Sequence, residues 1–309
     1  MTAARSLVVL GAAGLVGGWV LRSLAGAGDR VTTVDLAGRV DLVADVTEPG
    51  EEVRAAVAAA DTVVLALPEQ TAAHCLDWIA RTAAARTVIV TTCSVQGPVF
   101  DRARELGAGQ LVLGVNPMFS PTLDSAGRPV VVVARQPDGP EVELVRARLA
   151  DGGMTVSVMG PEEHDTAMSL LQTLPHAAVL AFATALPEQR VDVAALMRIA
   201  PPPARMLIAL ACRILTAPPE VYWDIQGANP QSAPRRAELL RSLGRLDTLV
   251  ADGDEAGFRA ALAAAADWLG PYTATGAQEC HRLFDQLRTA PADDRPGGGA
   301  PAGPPGVSA

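Results

Sequence analysis

The segment Gly11–Gly17 constrains the fold of this chain most, because its glycines lie between an apolar strand and a helix. It reads Gly-Ala-Ala-Gly-Leu-Val-Gly, follows the apolar run Leu7–Leu10 and enters a helical pattern over Gly14–Leu24. The first glycine permits a tight turn, the second lets the backbone approach a pyrophosphate, and the third permits close packing of helix on strand. The positive end of the helix dipole then faces the phosphates. We therefore predict a dinucleotide site that includes Gly11, Gly14, Leu15, Val16 and Gly17.

Asp35 indicates which dinucleotide binds. It ends the next apolar run, Val31–Asp35, about 20 residues beyond the glycines, where an acid suits the ribose 2′-hydroxyl of NAD and repels the 2′-phosphate of NADP. NAD is therefore the expected cofactor, although Arg39 lies close enough to leave some tolerance of NADP. Leu67 and Pro68, at the end of a later apolar run, are expected to line the same site.

The first half of the chain alternates β-branched runs with helical patterns, which predicts a parallel sheet covered on both faces. The strand-like runs are Leu7–Leu10, Val31–Asp35, Thr62–Leu67, Thr87–Thr92, Leu111–Val115, Val130–Ala134 and Thr155–Val158. From His164 onward the pattern is helical and is broken only by prolines. We predict an α/β Rossmann-type domain over residues 1–161, an all-α domain over residues 162–289, and a disordered Pro/Gly/Ala-rich tail over residues 290–309.

Composition excludes several classes of protein. All 25 basic residues are arginine, and the net charge of −9 argues against general binding of nucleic acids or anionic membranes. Schiff-base, pyridoxal-phosphate and Walker-A chemistry each use lysine, which this chain lacks. No spacing typical of metal ligands occurs, so no metal is expected.

The cysteines and the N-terminus predict a cytoplasmic protein. Because no Cys-x-x-Cys pair occurs and no signal-peptide pattern precedes the first strand, we expect reduced, buried thiols. The apolar segment from Met168 to Leu186 is interrupted by polar residues and a proline, which favours a buried core helix over a membrane span. The cysteines are Cys75, Cys93, Cys212 and Cys280.

Four segments in order resemble one enzyme family. Val112–Pro121 contains Asn116-Pro117-Met118-Phe119 and resembles a His-Pro-Met-Phe-Gly-Pro signature. Thr91–Gln96 is similar to a loop whose serine lies beside the catalytic histidine, and Glu163–Met168 is similar to the start of a long interdomain helix. Pro219–Ile225 is similar to the segment leading to an arginine that binds the substrate carboxylate. The chain, up to about residue 285, thus resembles the prephenate/arogenate dehydrogenases.

The resemblance implies a set of active-site residues. Asn116 replaces the family histidine that accepts a proton from the C4 hydroxyl of the substrate, and Ser94 is expected to contact the C4 substituent or the nicotinamide. His164, Met168 and Gln172 step by four along one helix, so they share a face. His176 follows Pro175, which is expected to kink this helix. The predicted catalytic residues are Asn116, Ser94, His164 and His176. The predicted substrate-binding residues are Gln172, Met118, Gln231, Arg235 and Arg236. The other two histidines, His74 and His281, are predicted to be surface residues.

Asn116 bears on the substrate, because an amide cannot act as a base near neutral pH. With an amine at C4, the nitrogen lone pair itself expels the hydride, and a hydrogen-bond acceptor suffices to orient it. The residues therefore favour NAD-dependent oxidation of 4-amino-4-deoxyprephenate to 4-aminophenylpyruvate and CO2. The alternatives are a prephenate or arogenate dehydrogenase that uses His164 or His176 as base, and a non-catalytic NAD-binding regulator. A β-hydroxyacid dehydrogenase is disfavoured because its catalytic lysine is absent.

The helical half also predicts self-association. Ala177–Leu186 and Met206–Cys212 are apolar enough to expose large patches unless another surface covers them. Because the resembled family dimerises through these helices, we expect a homodimer.

Overall fold

The computed structural model describes residues 4–107, 109–189 and 191–287. The predicted disorder of residues 290–309 therefore lies outside the described residues. Within these ranges one sheet of eight strands is followed by helices, as the sequence predicted. The strands are β1 (Ser6–Leu10), β2 (Arg30–Asp35), β3 (Leu42–Val43), β4 (Thr62–Leu65), β5 (Val88–Thr91), β6 (Leu111–Pro117), β7 (Pro129–Val133) and β8 (Thr155–Met159).

Five helices connect the strands, and the others follow them. The helices of the sheet region are α1 (Leu15–Leu24), α2 (Glu51–Ala58), α3 (Glu69–Thr82), α4 (Gly97–Glu105) and α5 (Pro140–Asp151). The later helices are α6 (Pro161–Met168), α7 (Leu174–Ala185), α8 (Val193–Ile199), α9 (Pro202–Leu215), α10 (Pro219–Gly227), α11 (Ser232–Ala251), α12 (Glu255–Leu269) and α13 (Tyr272–Gln286).

The sheet is buried on both faces because alternate residues of each strand point to opposite sides. Val8 and Leu10 of β1 pack in one core with Leu76 of α3, whereas Val9 packs in the other with Trp19 of α1. This arrangement confirms the covered sheet that the unbroken β-branched runs predicted.

The strand order is β3-β2-β1-β4-β5-β6-β7-β8, and one pair departs from the all-parallel prediction. Strand β7 runs antiparallel to β6, since the two are joined without a helix and a short connection can join only antiparallel neighbours. The two-residue strand β3 was not predicted, because it is too short to show a pattern. Strands β1 and β4 are parallel neighbours, and the order in which successive strands are added to the sheet reverses between them. The loops after these two strands therefore border a crevice at the carboxyl edge of the sheet.

The described residues form two compact units. Those within Met1–Ala181 and Ile214–Asp247 form one, and those within Phe182–Arg213 and Thr248–Ala309 form the other. The division at residue 161 drawn from the sequence follows the change from sheet to helix and stays a prediction. All residues of the site described below belong to the first unit.

The helical segment Pro161–Ala185 differs from its prediction in two ways. Near Pro175, where the sequence predicted a kink, a wider π-helical turn over Ser169–Thr173 interrupts the helix. Such irregularities are typical where a proline removes a backbone hydrogen-bond donor. The length and composition of the segment would allow it to cross a membrane, and only 22% of its apolar window is buried in the single chain. It is therefore not the fully buried core helix that the sequence predicted, because one face packs and the remainder is left uncovered.

The cysteines follow the prediction in part. No disulfide joins the four, all of which lie in the described ranges, and Cys75 and Cys93 are buried near the sheet. Cys212 is exposed and Cys280 is half-buried, because both lie on helices that have no sheet to cover them.

Candidate functional site

The glycine loop after β1 has the geometry of a phosphate cradle. Gly11 has a φ of 84°, and a Cβ on it would lie 2.2 Å from the carbonyl oxygen of Ala66. A Cβ on Gly17 would lie 2.2 Å from the carbonyl oxygen of Gly11. Side chains are therefore excluded at both positions, and the backbone at the start of α1 stays open to a ligand. These residues fit a dinucleotide.

The other predicted cofactor residues surround this loop. Asp35 accepts hydrogen bonds from the backbone N–H groups of Ala13 at 2.9 Å and Leu36 at 2.7 Å, so its carboxylate is held at the rim of the glycine loop. The side chain of Leu67 borders Gly11, and Pro68 precedes the first residue of α3. The side chain of Leu15 is exposed, whereas Val16 packs against the sheet.

We expect Asp35→Ala to weaken NAD binding about 10- to 100-fold, because a charge-assisted hydrogen bond to the ribose contributes about 1.5–3 kcal/mol. The KM for NAD, measured with NADP in parallel, reports the effect, and NADP is expected to lose its disadvantage. Asp45→Ala is the matched control, since Asp45 is an exposed aspartate whose hydrogen bonds to described residues go to Thr47 alone. If the ratio of the KM for NAD to the KM for NADP stayed unchanged, this role of Asp35 would be contradicted.

Asn116 lies at the carboxyl end of β6, and buried groups of α6 hold its side chain by hydrogen bonds. The residue is 2% exposed, and its Nδ2 donates to Nε2 of His164 at 3.0 Å and to Sδ of Met168 at 3.5 Å. Both partners come from α6. Among the described residues no group donates to the Asn116 Oδ1, which leaves the carbonyl as the end of the amide available to a ligand.

Asp165 determines how His164 presents its ring. Nδ1 of His164, which is 0% exposed, lies 2.9 Å from Oδ1 of Asp165. A carboxylate only accepts, so Nδ1 carries the proton, and the Nε2 of a neutral ring then accepts from Asn116. Asp165 also accepts from the backbone N–H groups of Gln96 at 2.9 Å and Gly97 at 2.7 Å, at the start of α4. The backbone of α4 thereby fixes Asp165, His164 and the amide of Asn116 in turn.

Ser94 lies beyond the end of β5, and its backbone contacts Glu69, one member of a carboxyl pair. Its backbone N–H donates to Oε1 of Glu69 at 3.0 Å, and Glu69 is hydrogen-bonded to Asp224 of α10. Burial, followed by the hydrogen bond and charge of Asp224, raises the pKa of Glu69 to about 7. Burial together with the charges of Glu69 and Asp224 raises the pKa of the Cys93 thiol to about 12.

The remaining predicted residues lie along the helices behind this edge. Gln172 lies in the π turn with its Oε1 buried, and the ring of His176 meets that of Tyr222 edge-on at 5.2 Å between centroids. The π turn shifts the helix register, so Gln172 does not continue the buried face of His164 and Met168 in the regular steps of four that the sequence predicted. Met118 packs partly against the core beside the sheet.

The candidates for binding the ring carboxylate are separated in the structure. Gln231 is exposed, and Arg236 contacts the backbone carbonyl of Gln226. Arg235 lies nearer, because its Nε donates to Oγ of the buried Ser169 at 3.3 Å while NH1 pairs with Glu238. His74 and His281 are exposed, as predicted.

Sequence reasoning missed four polar residues of this edge. Asp165 directly follows His164, and this adjacency was a usable signal. Glu69 follows Pro68 at the end of the β4 loop, where ligands bind in such sheets. Asp224 lies within Pro219–Ile225, which resembled the family, but no local pattern singled it out. Asn229 donates to the carbonyl of Asp165 at 2.7 Å, and only the packing of α10 and the loop after it brings these two residues here.

Comparison with known proteins assigns the chain to a family. Residues 160–264 match the family described as "Prephenate dehydrogenase, dimerization domain". The 4-amino-4-deoxyprephenate dehydrogenase of Streptomyces pristinaespiralis is 42% identical over 286 residues, which cover 91% of this chain and 96% of that protein. A probable arogenate/prephenate dehydrogenase of Methanocaldococcus jannaschii is 29% identical over 172 residues, or 55% of this chain and 39% of that protein.

Solved structures show the same fold. The prephenate dehydrogenase of A. aeolicus, in complex with hydroxyphenyl propionate and NAD+, superposes with a TM-score of 0.63 at 20% identity, covering 85% of this chain and 96% of that one. Fold, site and near-full-length similarity agree: this chain belongs to the prephenate dehydrogenase family.

Proposed function

We propose that this chain is an NAD-dependent dehydrogenase that converts 4-amino-4-deoxyprephenate to 4-aminophenylpyruvate and CO2. The observation that carries the proposal is the amide of Asn116, placed at the carboxyl edge of the sheet with its carbonyl left as acceptor. The name of the Streptomyces pristinaespiralis relative, which is 42% identical, supports the same substrate.

The reaction needs a group that orients the C4 substituent. The glycine loop and Asp35 would hold NAD, which when bound accepts the hydride from C4. The C1 carboxylate leaves as CO2, and the ring becomes aromatic. A neutral C4 amine supplies its own lone pair to the departing hydride, so Asn116 Oδ1 has only to accept an N–H hydrogen bond and fix the direction of that lone pair.

His164 acts through Asn116 in this proposal. With Nδ1 bonded to Asp165, its Nε2 takes the Nδ2 end of the amide, so Oδ1 faces the substrate. A reversed amide would place two donors toward the amine and lose the acceptor. His164 is thus a positioning residue, and Ser94 stays a predicted contact of the C4 substituent or the nicotinamide.

A prephenate or arogenate dehydrogenase is the second candidate, because relatives of that description also match. It would need His164 or His176 as base. Both ring nitrogens of His164 are within hydrogen-bonding distance of protein groups and the residue is 0% exposed, which disfavours direct contact with a substrate hydroxyl.

The deciding experiment offers purified enzyme and NAD the substrates 4-amino-4-deoxyprephenate, prephenate and arogenate side by side, and follows NADH absorbance. A strong preference for the amino compound in kcat/KM is the expected result. Preference for prephenate or arogenate would replace the proposal with the second candidate. Absence of turnover with all three would favour a non-catalytic NAD-binding protein.

We further propose a cytoplasmic homodimer. The reduced, buried thiols Cys75 and Cys93 suit a reducing compartment. The matched domain is described as a dimerization domain, and one compact unit exposes large apolar side chains that water alone would cover at a cost. They include Ile199 (79% exposed), Trp268 (80%), Leu262 (58%) and Leu210 (42%).

Light scattering at micromolar concentration is expected to give a mass near twice 31.9 kDa, because a second copy would cover these side chains. Dilution to nanomolar concentration serves as the control for reversible association. A mass of one chain at micromolar concentration would contradict the dimer.

A further inference from the structure

Three neighbouring strand ends converge at the carboxyl edge of the sheet. The registers pair Leu65 of β4 with Thr91 of β5, and Thr91 with Gly114 of β6. Two residues further along, the same alignment brings the backbones near Leu67, Cys93 and Asn116 into adjacent positions, about 4.8 Å between strands. The Leu67 carbonyl, 3.8 Å from the Cys93 Sγ, follows this alignment.

The carboxyl pair Glu69–Asp224 lies at this junction. Glu69 follows the β4 loop that closes against Gly11, and its Oε1 accepts from the Ser94 backbone N–H. Asp224 is held by α10, which is tied to the π turn because Thr173 Oγ1 donates to the Ile225 carbonyl at 3.2 Å and Gln226 Nε2 donates to the Thr173 carbonyl at 3.0 Å. The pair therefore has the glycine loop on one side and the Asn116 strand on the other.

Among the described residues, no cationic group offsets the charge of the pair. The titratable groups that face Glu69 in the described chain are Asp224 on α10 and Cys93 after β5, and none is a cation. Two carboxyl groups in contact retain a shared proton unless a positive group lies beside them. A ligand that brings a cation to this edge would satisfy both.

We propose that Glu69 and Asp224 bind the C4 ammonium group of the substrate and accept one proton from it. This inference rests on the proposed function. The N–H bond of the ammonium breaks, an O–H bond forms on the carboxyl pair, and the electron pair stays on nitrogen. The neutral amine can then expel hydride from C4, which an ammonium cannot do because it has no lone pair.

The proton affinity of the pair suits this task. An aliphatic ammonium is a weaker acid than the carboxyl pair, so the transfer proceeds because hydride loss with aromatisation is irreversible and consumes the amine as it forms. With a pKa of about 7, Glu69 then returns the proton to water near neutral pH. Prephenate carries a hydroxyl at C4 and offers no cation, so the pair also discriminates against it. Asn116 and the carboxyl pair then have different roles: the amide orients the nitrogen, and the pair receives its proton.

The test is Glu69→Gln, with Asp224→Asn as the second variant and Glu51→Gln as the control. Glu51 is an exposed first-turn glutamate of α2, as Glu69 is a first-turn glutamate of α3. Both site variants are expected to lower kcat/KM for 4-amino-4-deoxyprephenate about 100-fold and to abolish the rise of kcat/KM with pH through about 7. NAD affinity is expected to stay unchanged, which shows that the site variants fold.

A stability measurement gives a readout that does not depend on activity. The folded-state pKa of Glu69, about 7, lies above its ordinary 4.5, so the folded state binds more protons between these values and the free energy of unfolding falls as pH rises through them. Urea titrations at several pH values are expected to show this decline in the native enzyme and a weaker one in Glu69→Gln.

The outcomes separate the two proposals. Native enzyme without turnover of the amino compound overturns the proposed function. Native turnover with Glu69→Gln and Asp224→Asn both equal to Glu51→Gln, in rate and in pH profile, overturns the role of the pair and leaves the proposed function standing.

Discussion

Asn116→His is expected to create prephenate dehydrogenase activity about 100-fold or more above that of the native enzyme. A C4 hydroxyl builds charge on oxygen as the hydride leaves, and a histidine in reach of that hydroxyl contributes about 10²–10⁴ in rate as a general base. The amide of Asn116 cannot accept a proton, which leaves the native chain without this contribution. NADH formation with prephenate, compared with 4-amino-4-deoxyprephenate, measures the change.

Asn116→Gln is the matched control for this substitution. It keeps an amide and adds one methylene, so it perturbs the packing against His164 and Met168 without supplying a base. We expect it to gain no prephenate activity. If Asn116→His binds NAD normally and also gains none, residue 116 does not determine the choice between hydroxyl and amine.

Asp165→Ala is expected to lower the free energy of unfolding by about 3–5 kcal/mol and to lower kcat/KM steeply. The carboxylate, 6% exposed, accepts from two backbone N–H groups of the α4 start and contacts the ring of His164. Removal leaves these buried donors without an acceptor, and such groups cost about 1–3 kcal/mol each. The tautomer of His164 is then no longer set, so the amide of Asn116 loses its fixed orientation.

Urea denaturation and steady-state kinetics measure both effects. Glu163→Ala is the control, because Glu163 is an exposed acid two residues earlier on α6 and is expected to change stability by less than about 0.5 kcal/mol. The free energy of unfolding of Asp165→Asn is expected to lie between those of Asp165→Ala and Glu163→Ala, since its one amide oxygen can still accept from one backbone N–H. Equal stability of Asp165→Ala and Glu163→Ala would show that the hydrogen bonds of Asp165 to the start of α4 do not stabilise the fold.

The predictions from sequence succeeded where a local pattern has a single structural solution. The glycine loop must turn where only glycine fits, and Asp35 must end β2 beside it, so both were located from their spacing. The direction of β7 and the π turn before Pro175 were not predicted, because each depends on how a connection or a helix packs rather than on residue type.

The sequence by itself determined the alternating strands and helices, the dinucleotide loop and the presence of an amide at residue 116, since these follow from periodicity, glycine sterics and residue identity. Only the tertiary structure decided what that amide faces. His164 lies 48 positions from Asn116, and Asp224 lies 155 positions from Glu69. Contacts between residues so far apart in the chain produce no local pattern in the sequence. Long-range hydrogen bonds form when α6 and α10 pack on the strand ends, and the orientation of the Asn116 amide depends on that packing.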